Sequence, residues 1–275
     1  MTRALILHAA GTNRDREAAW AVEKAGGEPV ILHISELHER PASLHGFQML
    51  VLPGGFSYGD ALGAGRLLAS DLRWLFEEEM ARFVDAGKPV LGICNGFQAL
   101  LKSGWLPGLP VHPSGHQLDA RIQATLTRNA SNRFECRWVW MALNPDSPCV
   151  FTRGLARRGV SRIGCPVAHG EGRFIPGGGV LERLQANDQV VLTYDRDGAV
   201  ADGVPSRGPA GYPANPNGSV ADVAGICNGQ GNVLGLMPHP EDHIVPWQHP
   251  RWTRGEREEL GLSIFSEGIE YARGL

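Results

Sequence analysis

Four short, almost wholly apolar runs, spaced by glycines and helical patterns, constrain the first hundred residues of this chain more than any other feature. Residues 3–10 lead into Gly11-Thr12-Asn13, a turn and helix cap, and residues 14–25 suit a helix ending at Gly26-Gly27. Pro29 to Ile34 and Gln48 to Pro53 are the second and third runs, the latter halting at Gly54-Gly55. Residues 61–86 carry helical periodicity, with Leu68, Leu72, Leu75, Phe76, Met80 and Phe83 at spacings of one, three or four, broken by Gly87-Lys88. Pro89 to Ile93 is the fourth run, and a helix is predicted from about 96 to 103. Strands that are apolar throughout must be covered on both faces. That requires a mainly parallel sheet with helices on both sides, an α/β fold. Ligands of such folds collect beyond the carboxyl ends of the strands. Two loops stand at that edge: Pro53-Gly54-Gly55-Phe56 and Cys94-Asn95-Gly96.

The second half reads differently. Residues 120–128 and 133–143 are short and rich in β-branched and aromatic residues, and strand-like pieces recur at 190–194, 220–227 and 233–237. Gly-rich stretches at 170–179 and 203–219 read as loops, and a helix is expected near 256–272. Added antiparallel strands extending the sheet are the expectation. No linker divides the chain, so residues 1–275 are read as a single domain.

Composition excludes several classes. A net charge of -3 gives no general grip on nucleic acid. No run approaches the roughly 18 apolar residues needed to cross a bilayer. The short apolar start runs into Gly-Thr-Asn-Arg and does not read as a signal peptide. A cytoplasmic protein without membrane contact is expected. The five cysteines are odd in number and lack CxxC spacing, which argues against a disulfide framework or a zinc knuckle.

One of those cysteines has the context of a nucleophile. Pro-Val-Leu-Gly-Ile-Cys94-Asn-Gly-Phe-Gln98 reads as strand, sharp turn and helix, the geometry that thrusts a side chain out at the top of a sheet. Gly92 and Gly96 fit a turn with no room for bulk. The N-terminus of the following helix carries partial positive charge, which favours the reactive thiolate. The same pentapeptide, Gly-Ile-Cys-Asn-Gly, recurs at 225–229, where Gln-Gly-Asn and another strand follow. That is a hairpin signature, so Cys227 is assigned no catalysis.

A cysteine nucleophile needs a base, and the base needs a carboxylate to orient it. Met-Pro-His239-Pro-Glu241-Asp-His243 follows an apolar strand. On an extended segment, alternate side chains share a side, so Glu241 could meet one nitrogen of His239 while the other faces Cys94. Zinc binding by His239 and His243 is the competing reading, but it needs a helix that Pro238 and Pro240 disfavour. No metal is expected. Backbone N–H groups of Gly55 and Asn95 stand at the two loops on one sheet edge, placed to form an oxyanion hole.

Taken in order, the motifs resemble those of the class I (triad) glutamine amidotransferases, whose fold is flavodoxin-like. The matching stretches are 52–60 (LPGGFSYGD), 91–98 (LGICNGFQ) and 236–241 (LMPHPE). Three more, 132–139 (NRFECRWV), 168–174 (AHGEGRF) and 212–219 (YPANPNGS), are similar to the branch that serves phosphoribosylformylglycinamidine synthases. The resemblance implies that Cys94 attacks the side-chain amide of glutamine and forms a thioester, with His239 and Glu241 handling protons and Gly55 and Asn95 holding the oxyanion. It implies that Gly54, Gln98, His169, Gly170 and Glu171 hold glutamine. It implies that ammonia passes to a separate large synthetase subunit, in a complex with room for a small accessory subunit. ATP and Mg would belong to that partner; the sequence here has no P-loop and implies no cofactor of its own.

The segment 240–260, with Trp247 and Trp252, is long for a stand-alone subunit of this kind and bears on docking rather than on the triad. Other readings stay open at this stage. The chain could serve a different synthetase, act as a non-catalytic amidotransferase-like scaffold, or use the cysteine elbow for ester hydrolysis.

Overall fold

The computed structural model describes residues 1–110, 122–196, 209–255 and 259–275. In chain order the first half forms β1 (Arg3–His8), α1 (Asp15–Lys24), β2 (Glu28–His33), α2 (Ile34–Glu39), β3 (Met49–Leu52), α3 (Arg66–Trp74), α4 (Glu77–Asp85), β4 (Val90–Ile93) and α5 (Asn95–Ser103). The second half forms β5 (Ala124–Arg128), β6 (Glu135–Leu143), α6 (Arg153–Arg157), β7 (Arg162–His169), β8 (Glu171–Pro176), α7 (Val180–Ala186), β9 (Val190–Asp195), β10 (Val223–Cys227), β11 (Val233–Leu236) and α8 (Leu262–Arg273).

Among the described residues, nine strands make one mixed sheet in the order β2-β1-β3-β4-β11-β10-β9-β6-β7. The first four and β11 run parallel. Beyond β11 every pairing is antiparallel. β3, β4 and β11 are buried at every position, as their apolar sequences require. Helices α3 and α5 pack together on one side, and α1, α6 and α8 on the other. The α/β architecture with antiparallel additions agrees with the sequence reading, except that 233–237, grouped there with the added strands, is β11 and runs parallel to β4.

Four local differences have physical causes. The periodic stretch 61–86 is not one helix; α3 ends at Trp74 and α4 begins at Glu77. Phe76 sits between them with φ -126° and is buried. Three glutamates then occupy the first turn of α4, where the helix dipole favours negative charge. The glycine-rich stretch 170–179 is not all loop, since β8 occupies 171–176 and pairs antiparallel with β5. Gly172 and Phe174 are buried in alternation, a period-two signal that the glycines masked. β5 and β8 stand as a separate two-stranded sheet rather than extending the main one. The expected strand over 220–227 opens instead as a single 3-10 turn at Val220–Asp222, leaving β10 to begin at Val223. Residues 120–121, 203–208 and 256–258 of the sequence expectations lie outside the described residues.

Candidate active site

β3, β4 and β11 are neighbours and parallel, with Leu52 level with Gly92 and Leu236 level with Ile93. The residues that follow them therefore leave the sheet at one edge: Pro53-Gly54-Gly55, Cys94, and Met237-Pro238-His239. Residues more than 140 positions apart meet because their strands are adjacent.

Cys94 lies between β4 and α5 with φ 48° and ψ -100°, a conformation L-residues rarely adopt. Its N–H donates to Leu236 O (2.8 Å), and its own carbonyl accepts from Gln98 N–H (3.0 Å). The strained corner is thus pinned on both sides. The thiol is 5% exposed and lies 3.9 Å from Ala168 O at the end of β7. Cys227 lies at the end of β10, which pairs antiparallel with β11. It has no elbow, and its buried thiol is pushed up by a hydrogen bond with Cys149 and by burial.

His239 and Glu241 meet as expected: Nδ1 lies 2.6 Å from Oε1, with both side chains buried. The local backbone differs from the expected extended segment. Pro240–Asp242 is a 3-10 turn, and the turn, not side-chain alternation, brings the carboxylate under the ring. Burial opposes a charge on His239, but the negative charge of Glu241, followed by that of Cys94, outweighs it and holds the imidazole well above its ordinary value. With Nδ1 engaged by Glu241, Nε2 is the nitrogen left for Cys94. His243 turns away, donating from Nδ1 to Gly164 O (2.7 Å) and packing edge-on against Trp138. A ligand atom of Asp242 lies within 4.8 Å of those of His239 and Glu241, and Arg14 Nη1 stands 3.6 Å from the Asp242 carboxylate.

Gly54 and Gly55 lie against the site. A Cβ on Gly54 would stand 2.6 Å from His239 Cε1. Gly55 has φ 138° and a backbone bridge to Thr12. Asn95 is the first residue of α5, so its N–H has no partner within the helix. Its side chain is fully used: Oδ1 accepts from Ser57 N–H (3.1 Å), and Nδ2 donates to Asp60 Oδ1 (3.1 Å) and Gln98 Oε1 (3.0 Å). Burial pushes the Asp60 carboxyl up.

The other expected glutamine contacts gather at the turn between β7 and β8. Gln98 Nε2 donates to Glu171 O (2.5 Å), so both ends of the Gln98 amide are held by protein. The Glu171 carboxylate accepts from Ala64 N–H (3.4 Å) and faces Lys102 Nζ at 3.9 Å. The Gly170 carbonyl accepts from Asn129 N–H (2.9 Å). His169 is buried, with Nδ1 3.2 Å from Asn129 Oδ1, while its Nε2 has no partner among the described residues. Burial, then the charge of His239, holds the His169 imidazole down at about 3.

Residues that sequence reasoning did not single out surround this set. Asp60 closes the 52–60 stretch LPGGFSYGD, the signal by which it could have been found. Tyr194 is buried, accepts from Asn217 Nδ2 (2.9 Å), and is pushed up by burial and by Cys94. Asn129 gave no signal by spacing; only the fold reveals it.

The CobB/CobQ-like glutamine amidotransferase domain model matches residues 1–272. The chain belongs to that family. Within it, curated relatives named phosphoribosylformylglycinamidine synthase subunit PurQ match end to end. The one from Treponema denticola is 48% identical over 98% of each chain, and the one from Dehalococcoides mccartyi is 45% identical, also over 98% of each. Among solved structures, a chain of PurLQS from Thermotoga maritima matches with a TM-score of 0.69 and 31% identity, covering 98% of both chains. The amidotransferase family therefore spans nearly the whole chain, including every candidate residue above.

Proposed function

We propose that this chain is the glutaminase subunit of a phosphoribosylformylglycinamidine synthase acting in purine biosynthesis. The observation that carries the chemistry is that Cys94, at a positive-φ corner after β4, and a buried His239–Glu241 pair after β11 leave the sheet at one edge, near enough for the charge of Cys94 to act on the imidazole. The full-length PurQ relatives support the pathway.

Cys94 sulfur attacks the side-chain amide carbon of glutamine, and the carbonyl electrons move to oxygen. The N–H groups of Gly55 and Asn95 hold that oxyanion, a contribution worth about 3 kcal/mol per donor. His239, charged beside Glu241, gives its proton to the departing nitrogen, releasing ammonia and leaving a glutamyl thioester on Cys94. Water, deprotonated by the now neutral His239, attacks the thioester. Glutamate leaves and the sulfur is regenerated with its protonated partner. Gly54, Gln98, His169, Gly170 and Glu171 shape the glutamine pocket, Gln98 by bracing the 169–172 turn.

Ammonia then passes to a synthetase subunit, which uses ATP and Mg to convert formylglycinamide ribonucleotide to its amidine. A small accessory subunit completes the complex. The Thermotoga maritima PurLQS match supports such an assembly. This chain works without a resident cofactor, which the missing P-loop in its sequence supports for ATP. Its residues act as a single amidotransferase domain, supported by one continuous core. Its place is the cytoplasm; no helix among the described residues is long and apolar enough to cross a membrane.

The test is a Cys94→Ala variant assembled with the synthetase. Glutamine-dependent product formation should vanish, while synthesis from added ammonium salt persists. Retained glutamine-dependent activity would reject the mechanism. A different synthetase in a pull-down would reject the pathway.

A further inference from the structure

Asn129 is buried at 1% exposure, and every hydrogen-bonding group it has is engaged. Its N–H donates to Gly170 O (2.9 Å), and its carbonyl accepts from Asn132 N–H (2.9 Å). Nδ2 donates twice, to His169 O (2.8 Å) and to Arg133 O (2.9 Å). Oδ1 accepts from Gly172 N–H (3.0 Å) and lies 3.2 Å from His169 Nδ1. Because Nδ2 faces two carbonyls, which can only accept, the orientation of the amide is set. Oδ1 must then accept from His169, so the proton sits on Nδ1. The buried, unpartnered Nε2 is left as a lone-pair acceptor.

The same residue holds a second turn. Residues 130–134 are exposed, and Phe134 lies against Gly170, with Cδ2 3.8 Å from where a Cβ would be. Ala130 N–H reaches Asn217 O (3.0 Å), whose side chain binds Tyr194 beside Cys94. Ala130, Ser131 and Arg133 also line a surface groove of about 520 Å³ with Tyr212 and Asn215. One buried amide therefore joins the 169–172 turn to the exposed 130–134 turn.

We propose that Asn129 is a positioning residue that fixes the glutamine-holding turn 169–172, sets the tautomer of His169, and couples both to the exposed turn 130–134. This rests on the glutaminase reading. Its consequence is specific. Losing Asn129 should loosen the grip on glutamine while leaving the Cys94–His239–Glu241 constellation in place.

The experiment uses the chain assembled with its synthetase subunit. Asn129→Asp keeps the acceptor atoms but loses both donors. It should raise KM for glutamine about ten-fold or more, with kcat at saturation within about three-fold of wild type. Alkylation of Cys94 by iodoacetamide, which needs no glutamine pocket, should change little, while labelling by a glutamine-mimicking diazoketone should slow in step with KM. Unchanged KM and labelling would overturn the proposal, and so would an equal loss in iodoacetamide reactivity. Should the variant fail to fold, hydrogen exchange on the wild-type protein decides. Diazoketone labelling of Cys94 should slow exchange in 129–134 together with 168–174; slowing confined to 168–174 would reject the coupling. Failure of the glutaminase reading looks different, because wild type itself would then release no ammonia from glutamine.

Discussion

The Cβ that Gly54 lacks would stand 2.6 Å from Cε1 of His239 and 3.2 Å from its Nδ1. The loop after β3 and the histidine after β11 are therefore in contact through a missing side chain. A methyl group at residue 54 must displace the ring or the loop. Gly54→Ala is expected to lower kcat for glutamine hydrolysis by on the order of a hundred-fold, the usual cost of roughly 1 Å of misplacement. Ammonia release by the assembled complex measures it, and undiminished turnover would show that the contact does not position the base.

Gly96 makes a tighter approach, with its absent Cβ 2.0 Å from Leu52 O, a backbone atom that cannot rotate away. Gly96→Ala should cost on the order of 3 kcal/mol of stability or prevent folding. Denaturant unfolding is the check. A variant as stable as wild type would mean that the corner of β4 and α5 yields more easily than its packing indicates.

The raised His239 value has a pH consequence. A histidine that holds its proton more tightly when folded stabilises the fold fully below its unfolded value of about 6.5, and this contribution fades as pH climbs through the higher folded value. Glu241→Gln removes the partner charge. The gap in denaturant midpoint between wild type and this variant should be widest near pH 6 and narrow as pH rises through the raised folded value. A gap that widens with pH would contradict the ion pair.

His169 works in the opposite sense. Its folded value is held down at about 3, so the fold is unpenalised above about 6.5 and loses stability as pH falls between those limits. The full span corresponds to at most roughly 5 kcal/mol. His169→Gln should flatten the acid side of the stability curve between pH 6.5 and 3.5. Parallel curves would mean that residue 169 takes up protons without strain.

Cys227 provides the internal comparison. It sits in the same pentapeptide as Cys94 but at the end of β10, buried beside Ser147 and Cys149. Cys227→Ala should leave glutamine turnover within about two-fold and cost about 1 kcal/mol of stability. A loss of activity matching Cys94→Ala would erase the distinction between the two copies.

Much of this was readable in the chain itself. Apolar runs with no alternation gave β1, β3, β4 and β11, because burial on both faces leaves no polar positions. The glycines flanking Cys94 marked the corner, and the residues after the shared pentapeptide, Phe97-Gln98 opening a helix against Gln230-Gly231-Asn232 opening a strand, told Cys94 from Cys227. The single helix expected over 61–86 split because Phe76 turns into the core, which periodicity alone does not reveal. β8 was hidden by glycines whose place in a ladder depends on β5, some 45 residues earlier.

Sequence by itself singled out Cys94, His239 and Glu241 as the candidate triad, since each depends on neighbours a few residues away: a strand, a glycine corner, a proline-flanked histidine. Only the tertiary structure decided that Cys94 and His239 share one edge, because that follows from β11 lying next to β4. It also decided that Glu241 reaches His239 through a 3-10 turn and that Asn129 binds two turns at once. Hydrogen bonds between distant segments are set by three-dimensional distance, and spacing along the chain carries no record of it.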